Sequence, residues 1–205
     1  MSAEQNDAVL VNDVAAGRRA SYLALCRRYS RKLANLVYWW LGDWQTSEST
    51  VYDILFGKFC QLVDGRHEQS DQPFRIEILS MTVREAARRL REQRGMPPPT
   101  EETFFEDEGA VLSEIIEGEG RKPPTALAER HRANHVVEES LLRMKGDQRL
   151  TLLLRDYWGL SYSEISLVMG RPVEDVRQWL FRARRRMGTL SSHRSDRIKD
   201  NRDVV

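Results

Sequence analysis

Arg177, Gln178 and Arg182, followed by Arg184 and Arg185, fall within a few turns of one another if the chain there is helical. An arginine can pair with both acceptors of a guanine, and a glutamine with adenine. Glu174 and Asp175, just upstream, can accept a hydrogen bond from cytosine and also suit the positive end of a helix dipole. Together these side chains describe a helix laid in a DNA major groove, its first turns on base edges and its basic residues on phosphates. The bland alternative is a helical hairpin with a solvated basic face.

A second cationic set lies at Arg84, Arg88 and Arg91, spaced i, i+4 and i+7, with Arg94 beyond. On one helix face they can track the phosphates of a nucleic-acid strand. Equally, Glu85 and Glu92 can neutralise them locally as part of a solvated helix. Holding an unstacked base needs an aromatic platform. Phe74 is the nearest aromatic, with the loop from Asp64 to Pro73 as a rim, although a phenylalanine so placed is more often core.

Other chemistry finds little support. There is no phosphate-cradling glycine loop, no dinucleotide fingerprint and no nucleophile elbow, so no enzyme is expected. His131 and His135 stand at i, i+4 without a third ligand nearby, which favours a surface helix over a metal site. Cys26 and Cys60 are far apart in sequence and read as reduced core thiols, a redox pair being the alternative. Neither cofactor nor metal is expected.

The elements that must carry the first set are legible. Ser161 and Glu164 have the spacing of a capping box at a helix start. Gly170 supplies a sharp stop, Arg171-Pro172 a turn, and a second helix begins near Val173. Ile165, Met169, Val173, Val176 and Leu180 can bury where the two helices cross, and the small Ser166 suits that crossing. This is a helix-turn-helix from Ser161 to Met187.

Upstream, Tyr22, Cys26, Tyr29, Leu33, Leu36, Val37 and Trp40 recur at helical spacing, ending at a C-capping Gly42. Arg27, Arg28, Arg31 and Lys32 form that helix's polar face. Thr46 or Ser47 is expected to cap the next helix, whose stripe is Val51, Ile54, Leu55, Phe59 and Leu62. A third helix carries Ile76, Leu79, Val83, Ala86 and Leu90 and ends near Gly95. Trp39, Trp40, Trp44 and Trp158 read as core or interface residues. Strand signals are poor throughout.

The prolines 97–99 break this series, and beyond them lies a stretch from Glu101 to Glu119 without lysine or arginine. A short helix is expected around Val111 to Ile116, and helix again from Thr125. The 205 residues carry 31% charged and 40% hydrophobic residues and a net charge of +1, a globular composition with no run near the roughly 20 apolar residues of a membrane span. The N-terminus lacks the basic and apolar regions of a secretory signal, so a cytoplasmic protein without membrane insertion is expected.

The run Arg149 to Ile165, and Leu180-Phe181-Arg182-Ala183-Arg184, resemble the fourth region of bacterial RNA polymerase sigma factors of the extracytoplasmic-function (ECF) type. Leu41-Gly42-Asp43, Ser47-Glu48-Ser49 and Val51-Tyr52-Asp53 resemble a drifted form of the family's polymerase-docking pattern, and Phe74-Arg75 with the helix after it resembles the family's region for the −10 element. Ser49 stands where the family has aspartate, Tyr52 where it has glutamine, Glu77 where it has tryptophan and Val83-Arg84 where it has arginine-asparagine. Glu174-Asp175 replace glycine-threonine and Trp179 a common arginine, so the family's usual target sequence does not carry over.

The resemblance implies an all-α fold of two small helical domains joined by a flexible acidic linker. The N-terminal sigma domain spans 5–96, the proline-bounded linker 97–134, the C-terminal helix-turn-helix domain 135–190 and a polar tail 191–205. It implies Glu174, Asp175, Arg177, Gln178, Arg182, Arg184 and Arg185 at the −35 element. It implies Phe74, Arg84, Arg88, Arg91 and Arg94 at the −10 element, and Glu48, Ser49, Tyr52, Asp53 and Phe56 on the polymerase. The partners implied are core RNA polymerase, through the clamp helices of its largest subunit and its flap, and promoter DNA. An anti-sigma factor is a further partner usual in the family that no residue here demands. The function implied is promoter-directed transcription initiation. A helix-turn-helix regulator acting without polymerase, and a degenerate sigma-like protein that binds polymerase alone, remain the alternatives.

Overall fold

The computed structural model describes residues 3–65, 72–93, 95, 141 and 144–200, with side chains described between 6 and 188. Among the described residues there are helices and no strands: α1 (Ala3–Ala15), α2 (Ala20–Leu41), α3 (Trp44–Val63), α4 (Phe74–Gln93), α5 (Gly146–Leu152), α6 (Tyr162–Met169) and α7 (Val173–Asp200). A π-helical turn, Leu153–Tyr157, extends α5. The chain divides into two compact units, one carrying α1–α4 and the other α5, most of α6, and α7. The acidic stretch, the short helix expected around Val111 to Ile116, the helix from Thr125 and the His131–His135 pair lie outside the described residues.

In the first unit α2 is the central helix, because its apolar residues run round most of its circumference. Leu25, Leu33, Leu36, Val37 and Trp40 are buried, as are Tyr22, Tyr29 and Trp39. Its end is the expected one: Gly42 takes φ +73 and donates its N–H to the Tyr38 carbonyl at 2.9 Å. The next cap differs from expectation. Asp43, not Thr46 or Ser47, is the N-cap; its backbone is extended and its carboxylate accepts the Thr46 N–H at 2.6 Å. The Ser47 and Thr50 hydroxyls instead donate back to the carbonyls of Asp43 and Thr46. The helix therefore starts at Trp44, which is half-buried.

Helices α3 and α4 close the unit. Ile76, Ile78, Leu79, Ala87 and Leu90 are buried on α4, and Val51, Ile54, Leu55 and Leu62 on α3. Phe59 is half-buried, its ring 5.1 Å from that of Tyr22. Lys58 of α3 is only 1% exposed and pairs with Glu77 of α4. A charge so deeply placed requires a partner, and Glu77 supplies it at the position where the resemblance leads one to expect tryptophan.

Helix α1 carries no apolar stripe that marks it in the sequence. It is fastened by a polar contact instead. Asp7 is buried, and its carboxylate accepts hydrogen bonds from the Arg28 guanidinium and the Tyr29 hydroxyl on α2. Burial and the bond to Asp7 hold the Tyr29 phenol above its ordinary pKa. Val14, also buried, adds an apolar contribution near the other end of α1.

The second unit is organised around α5 and α7, which pack together. Leu150, Leu154, Leu160, Ile165, Val176 and Ala183 are fully buried there, as is Arg149, and Trp158 is nearly so. Helix α7 continues to Asp200, past the boundary of the tail expected at 191–205. The physical reason is plain in the sequence: from 191 to 200 there is neither proline nor glycine to end it. Among the described residues no helix is long and apolar enough to cross a membrane, and no group of acidic, histidine or cysteine side chains is placed to hold a metal ion.

Replacing Asp7 by alanine leaves the Tyr29 hydroxyl and the Arg28 head without this acceptor. The expected loss is about 1–3 kcal/mol, since a buried donor left unsatisfied costs roughly that much. A urea titration of the full chain followed by tryptophan fluorescence should show a lower midpoint at unchanged slope; an unchanged midpoint would mean that α1 is not coupled to the rest of the unit.

Candidate nucleic-acid interface

Helix α6 opens on the capping box read from the sequence. The Ser161 N–H donates to Glu164 Oε2 at 2.6 Å, and the Glu164 N–H donates to Ser161 Oγ at 3.2 Å. Gly170 then takes φ +62, a left-handed conformation that favours glycine. Ser166 does more than leave room. Its hydroxyl donates to the Arg171 carbonyl, while the Arg171 N–H donates to the Ser166 carbonyl at 3.1 Å, so one residue ties both sides of the turn.

That turn sets the orientation of α7. Val176, Leu180 and Ala183 face inward and are buried, with Ile165 and Met169 of α6 also buried; Val173 is half-buried. Glu174, Arg177, Gln178, Arg182 and Arg185 are exposed away from that side, and Arg184 is exposed on its flank. Asp175 is half-buried, and so is Trp179. Among the described residues Arg177 makes a long contact to Glu174, 3.5 Å, and its side chain is 60% exposed. The sequence-predicted set is therefore brought together on one helix, with Asp175 at its margin.

Sequence reasoning missed one member of this face. Phe181, 68% exposed, lies one helical turn beyond Arg177 and Gln178 and directly before Arg182. An exposed aromatic there can touch a thymine methyl group. Its signal was available: positions 177, 178, 181 and 182 share a helix face by spacing alone.

The π-helical turn before α6 supplies two further residues. The Trp158 N–H reaches the Leu153 carbonyl at 3.0 Å, five residues back, and the Leu160 N–H reaches that of Leu154 at 3.0 Å, six back. This widened turn places Arg155 against α6: its Nη1 donates to the Leu160 carbonyl at 2.6 Å, and its guanidinium sits 5.2 Å from the centre of the Tyr162 ring. The adjacent Asp156 accepts from Arg184 Nη2 of α7 at 3.2 Å. Nothing local in the sequence marks either contact.

The N-terminal cationic set is only partly assembled. Arg84 is exposed. Arg88 is held by Glu85 at 2.6 and 2.8 Å and by Glu92, as the solvated-helix alternative anticipates. Arg91 is 3% exposed and so leaves the surface face, a correction to its place among the phosphate contacts: α4 packs along its length, and the i+7 position has turned inward. Phe74 is likewise core, its ring 5.6 Å from that of Tyr29, and does not stand free to stack on a base. Arg94 lies outside the described residues.

On α3, Glu48, Ser49, Tyr52 and Phe56 are exposed, and the Tyr52 and Phe56 rings lie parallel with centres 6.0 Å apart. With Leu23 and Cys26 of α2 they line a groove of about 1240 Å³. Asp53 differs from the rest: it accepts from Arg89 at 2.6 Å and ties α3 to α4. Cys26 and Cys60 carry free thiols and are half-buried rather than fully in the core; burial raises the Cys26 pKa.

Comparison with known proteins decides the family. A family model described as Sigma-70, region 4 matches residues 135–187, which takes in α6 and the exposed face of α7. The ECF RNA polymerase sigma-E factor of Escherichia coli K12 is 30% identical over 188 residues, covering 90% of this chain and 93% of that protein. The chain belongs to the ECF RNA polymerase sigma factors. The RNA polymerase sigma-H factor of Pseudomonas aeruginosa is 27% identical, also over 188 residues, again with 90% of this chain and 93% of that protein covered. The solved structure of CnrH in complex with the cytosolic domain of CnrY matches with a TM-score of 0.61 at 19% identity, covering 92% of this chain and 98% of that one, which speaks to the shared fold. This sigma factor is thus helical among its described residues, carries its helix-turn-helix at α6–α7 and functions in transcription initiation.

In this sigma factor Glu85 is the hub of the α4 charges, bonded to both Arg88 and Arg89. The hydrogen bond from Arg88, and then that from Arg89, holds its carboxyl below the ordinary value against the opposing effect of burial. A depressed folded pKa contributes stability that is complete above the unfolded value, ~4.3, and is lost as pH falls through the folded one. Glu85→Gln should accordingly lower the urea midpoint at neutral pH, with the gap to the parent protein closing as the pH falls below the ordinary carboxylate range. A gap that does not change with pH would sink this account.

Proposed function

We propose that this sigma factor joins core RNA polymerase and directs it to a two-part promoter, with α7 reading the −35 element, α4 approaching the −10 element and α3 docking on the polymerase. It acts by binding alone, in the cytoplasm, without cofactor or covalent chemistry. The observation that carries the reading is the single exposed row on α7, in which Arg177, Gln178, Phe181 and Arg182 stand out from a helix fixed by the capped α6 and the Ser166–Arg171 turn.

On this reading Arg177 and Gln178 take base edges, Phe181 an apolar base or sugar surface, and Arg182, Arg184 and Arg185 phosphates. Glu174 sits where it can discriminate against an unsuitable base. Arg84 and Arg88 are the N-terminal phosphate contacts; Phe74 and Arg91 act from the core by holding α4 in place. Docking on the largest subunit's clamp helices uses Tyr52 and Phe56 with Glu48 and Ser49 around them, while Asp53 positions α3 through Arg89. The departures from the family at Ser49 and Tyr52 make this contact apolar and aromatic in character. The corresponding domain limits are 5–96 for polymerase and the −10 element and 135–190 for the −35 element, with 97–134 threading the polymerase between them. An anti-sigma factor completes the set of partners: CnrH, which shares the fold, is bound by the cytosolic domain of CnrY.

Run-off transcription with purified core polymerase and a library of genomic promoters tests this. Specific starts that require the protein are expected. DNA binding without starts favours a regulator acting without polymerase; polymerase binding without starts favours a degenerate sigma-like protein. Within that assay Arg177→Ala should cost on the order of 1–3 kcal/mol, unevenly across promoters, because a base contact is lost. A uniform loss on every sequence would reassign Arg177 to phosphate. Tyr52→Ala with Phe56→Ala should weaken polymerase binding several-fold and leave duplex binding by the free protein unchanged.

A further inference from the structure

Arg184 lies in the basic run Arg182 to Arg186 of α7, yet its guanidinium is held by a carboxylate of the same protein. That carboxylate, Asp156, stands on the π-helical turn, where hydrogen bonds to carbonyls five and six residues back widen the backbone. Such turns insert a residue into a helix and recur at functional sites. Here two consecutive residues of the turn engage the two helices of the DNA-binding motif. Arg155 fastens the entry to α6 through the Leu160 carbonyl and lies over the Tyr162 ring of α6, and Asp156 reaches α7. On α5, burial pushes the Asp147 carboxyl above its ordinary pKa, opposed in part by the Gln148 N–H and by the charges of Lys145 and Arg182.

The Asp156–Arg184 pair is poorly suited to a structural role. It is a single hydrogen bond of 3.2 Å between side chains 54% and 52% exposed. Exposed pairs of this kind add little to stability. For the same reason they exchange readily with another oxyanion, and a DNA phosphate offers arginine the same kind of charged acceptor with counterion release in addition.

We propose that Asp156 is a built-in competitor for DNA phosphate. It holds Arg184 until α7 is docked closely enough to deliver a phosphate to that guanidinium, and so it selects against loosely docked, non-specific duplex. This rests on α7 being the DNA-facing helix, and assigns to Asp156 a positioning and specificity role exercised through Arg184.

The test uses the full chain as the parent protein, Asp156→Asn, Arg184→Ala and the double variant. The probe is a fluorescein-labelled random-sequence duplex of about 30 base pairs, followed by anisotropy from about 25 to 200 mM salt, a range over which phosphate contacts lose affinity steeply. Asp156→Asn should bind this duplex about three- to tenfold more tightly at low salt, with a salt slope steeper by about one. On a promoter recovered by the transcription selection its gain should be smaller. In the Arg184→Ala background the Asn substitution should change nothing. Elution salt from a heparin column should rank the variants in the same order and reads out even where duplex binding is weak.

Equal binding by Asp156→Asn and the parent overturns the proposal, as does a loss of affinity. A gain that persists without Arg184 overturns it too, because the carboxylate would then act only through the overall field. If Arg184→Ala binds the recovered promoter like the parent, Arg184 is not a phosphate contact in the closely docked state and the competition falls with it. Loss of specific starts in the transcription assay is the separate result that would undo the sigma-factor reading of α7.

Discussion

The burial of Val176, Leu180 and Ala183 is the constraint on which the rest of the second unit depends. These positions occupy one side of α7, so packing them fixes the rotation of that helix about its own axis. Every side chain on the other side is then exposed by geometry rather than by its own preference. Arg177, Gln178, Phe181 and Arg182 form a surface because their neighbours form a core. Phe181 shows this most clearly: hydrophobicity alone would bury it, and the helix rotation leaves it in solvent. A slip of one residue in this stripe, about 100° around the helix, would bring Arg177 toward the core and dismantle the row.

Charge in the first unit obeys a different logic. Helix α4 is rich in arginine, yet much of its charge is neutralised internally. Glu85 receives both Arg88 and Arg89, Glu92 receives Arg88 again, and Asp53 of α3 receives Arg89. Lys58 is likewise absorbed by Glu77, and Arg28 by Asp7. The basic stretch visible in the sequence is therefore a network joining helices, with Arg84 projecting from it. Counting cations along a helix overstates the field that a nucleic-acid strand would meet. The count is a better guide on α7, where the exposed arginines stand in sequence with few acids beside them.

Features set by neighbours within a helical turn or two were legible in the residues alone. The α2 stripe, the left-handed Gly42, the Ser161–Glu164 capping box and the Gly170 stop all depend on spacing, and spacing is what a sequence displays. The cap at Asp43 was harder, because Asp43, Thr46 and Ser47 all carry suitable oxygens and only the backbone conformation chooses among them. Contacts across longer separations left no local trace. The Asp7–Tyr29 bond that fastens α1, the burial of Arg91, the packing of Phe74 on Tyr29 and the reach of Asp156 to Arg184 each require the tertiary arrangement. Which α7 side chains lie exposed was accordingly legible in the sequence, and which α4 side chains do was not. The first needs one helix and its immediate turn; the second depends on how three helices bury α4.

The two exposed surfaces also differ in the physics they would use. The α3 face offers parallel aromatic rings above an apolar groove, with Glu48 as the exposed acid at its edge. Attraction there comes from removing apolar area from water, and salt does not weaken it. The α7 face offers guanidinium groups, whose attraction to phosphate is strong, sequence-independent and screened. Cationic attraction alone would hold such a helix on any duplex, so a protein that must find rare sites needs its unspecific grip restrained. On the proposed reading, the acids near α7 would supply that restraint. Glu174 stands beside Arg177, and Asp156 holds Arg184 from the turn behind. On the proposed reading, discrimination on this helix would rest on the balance between those carboxylates and the phosphates, as much as on the hydrogen bonds that Arg177 and Gln178 can offer to base edges.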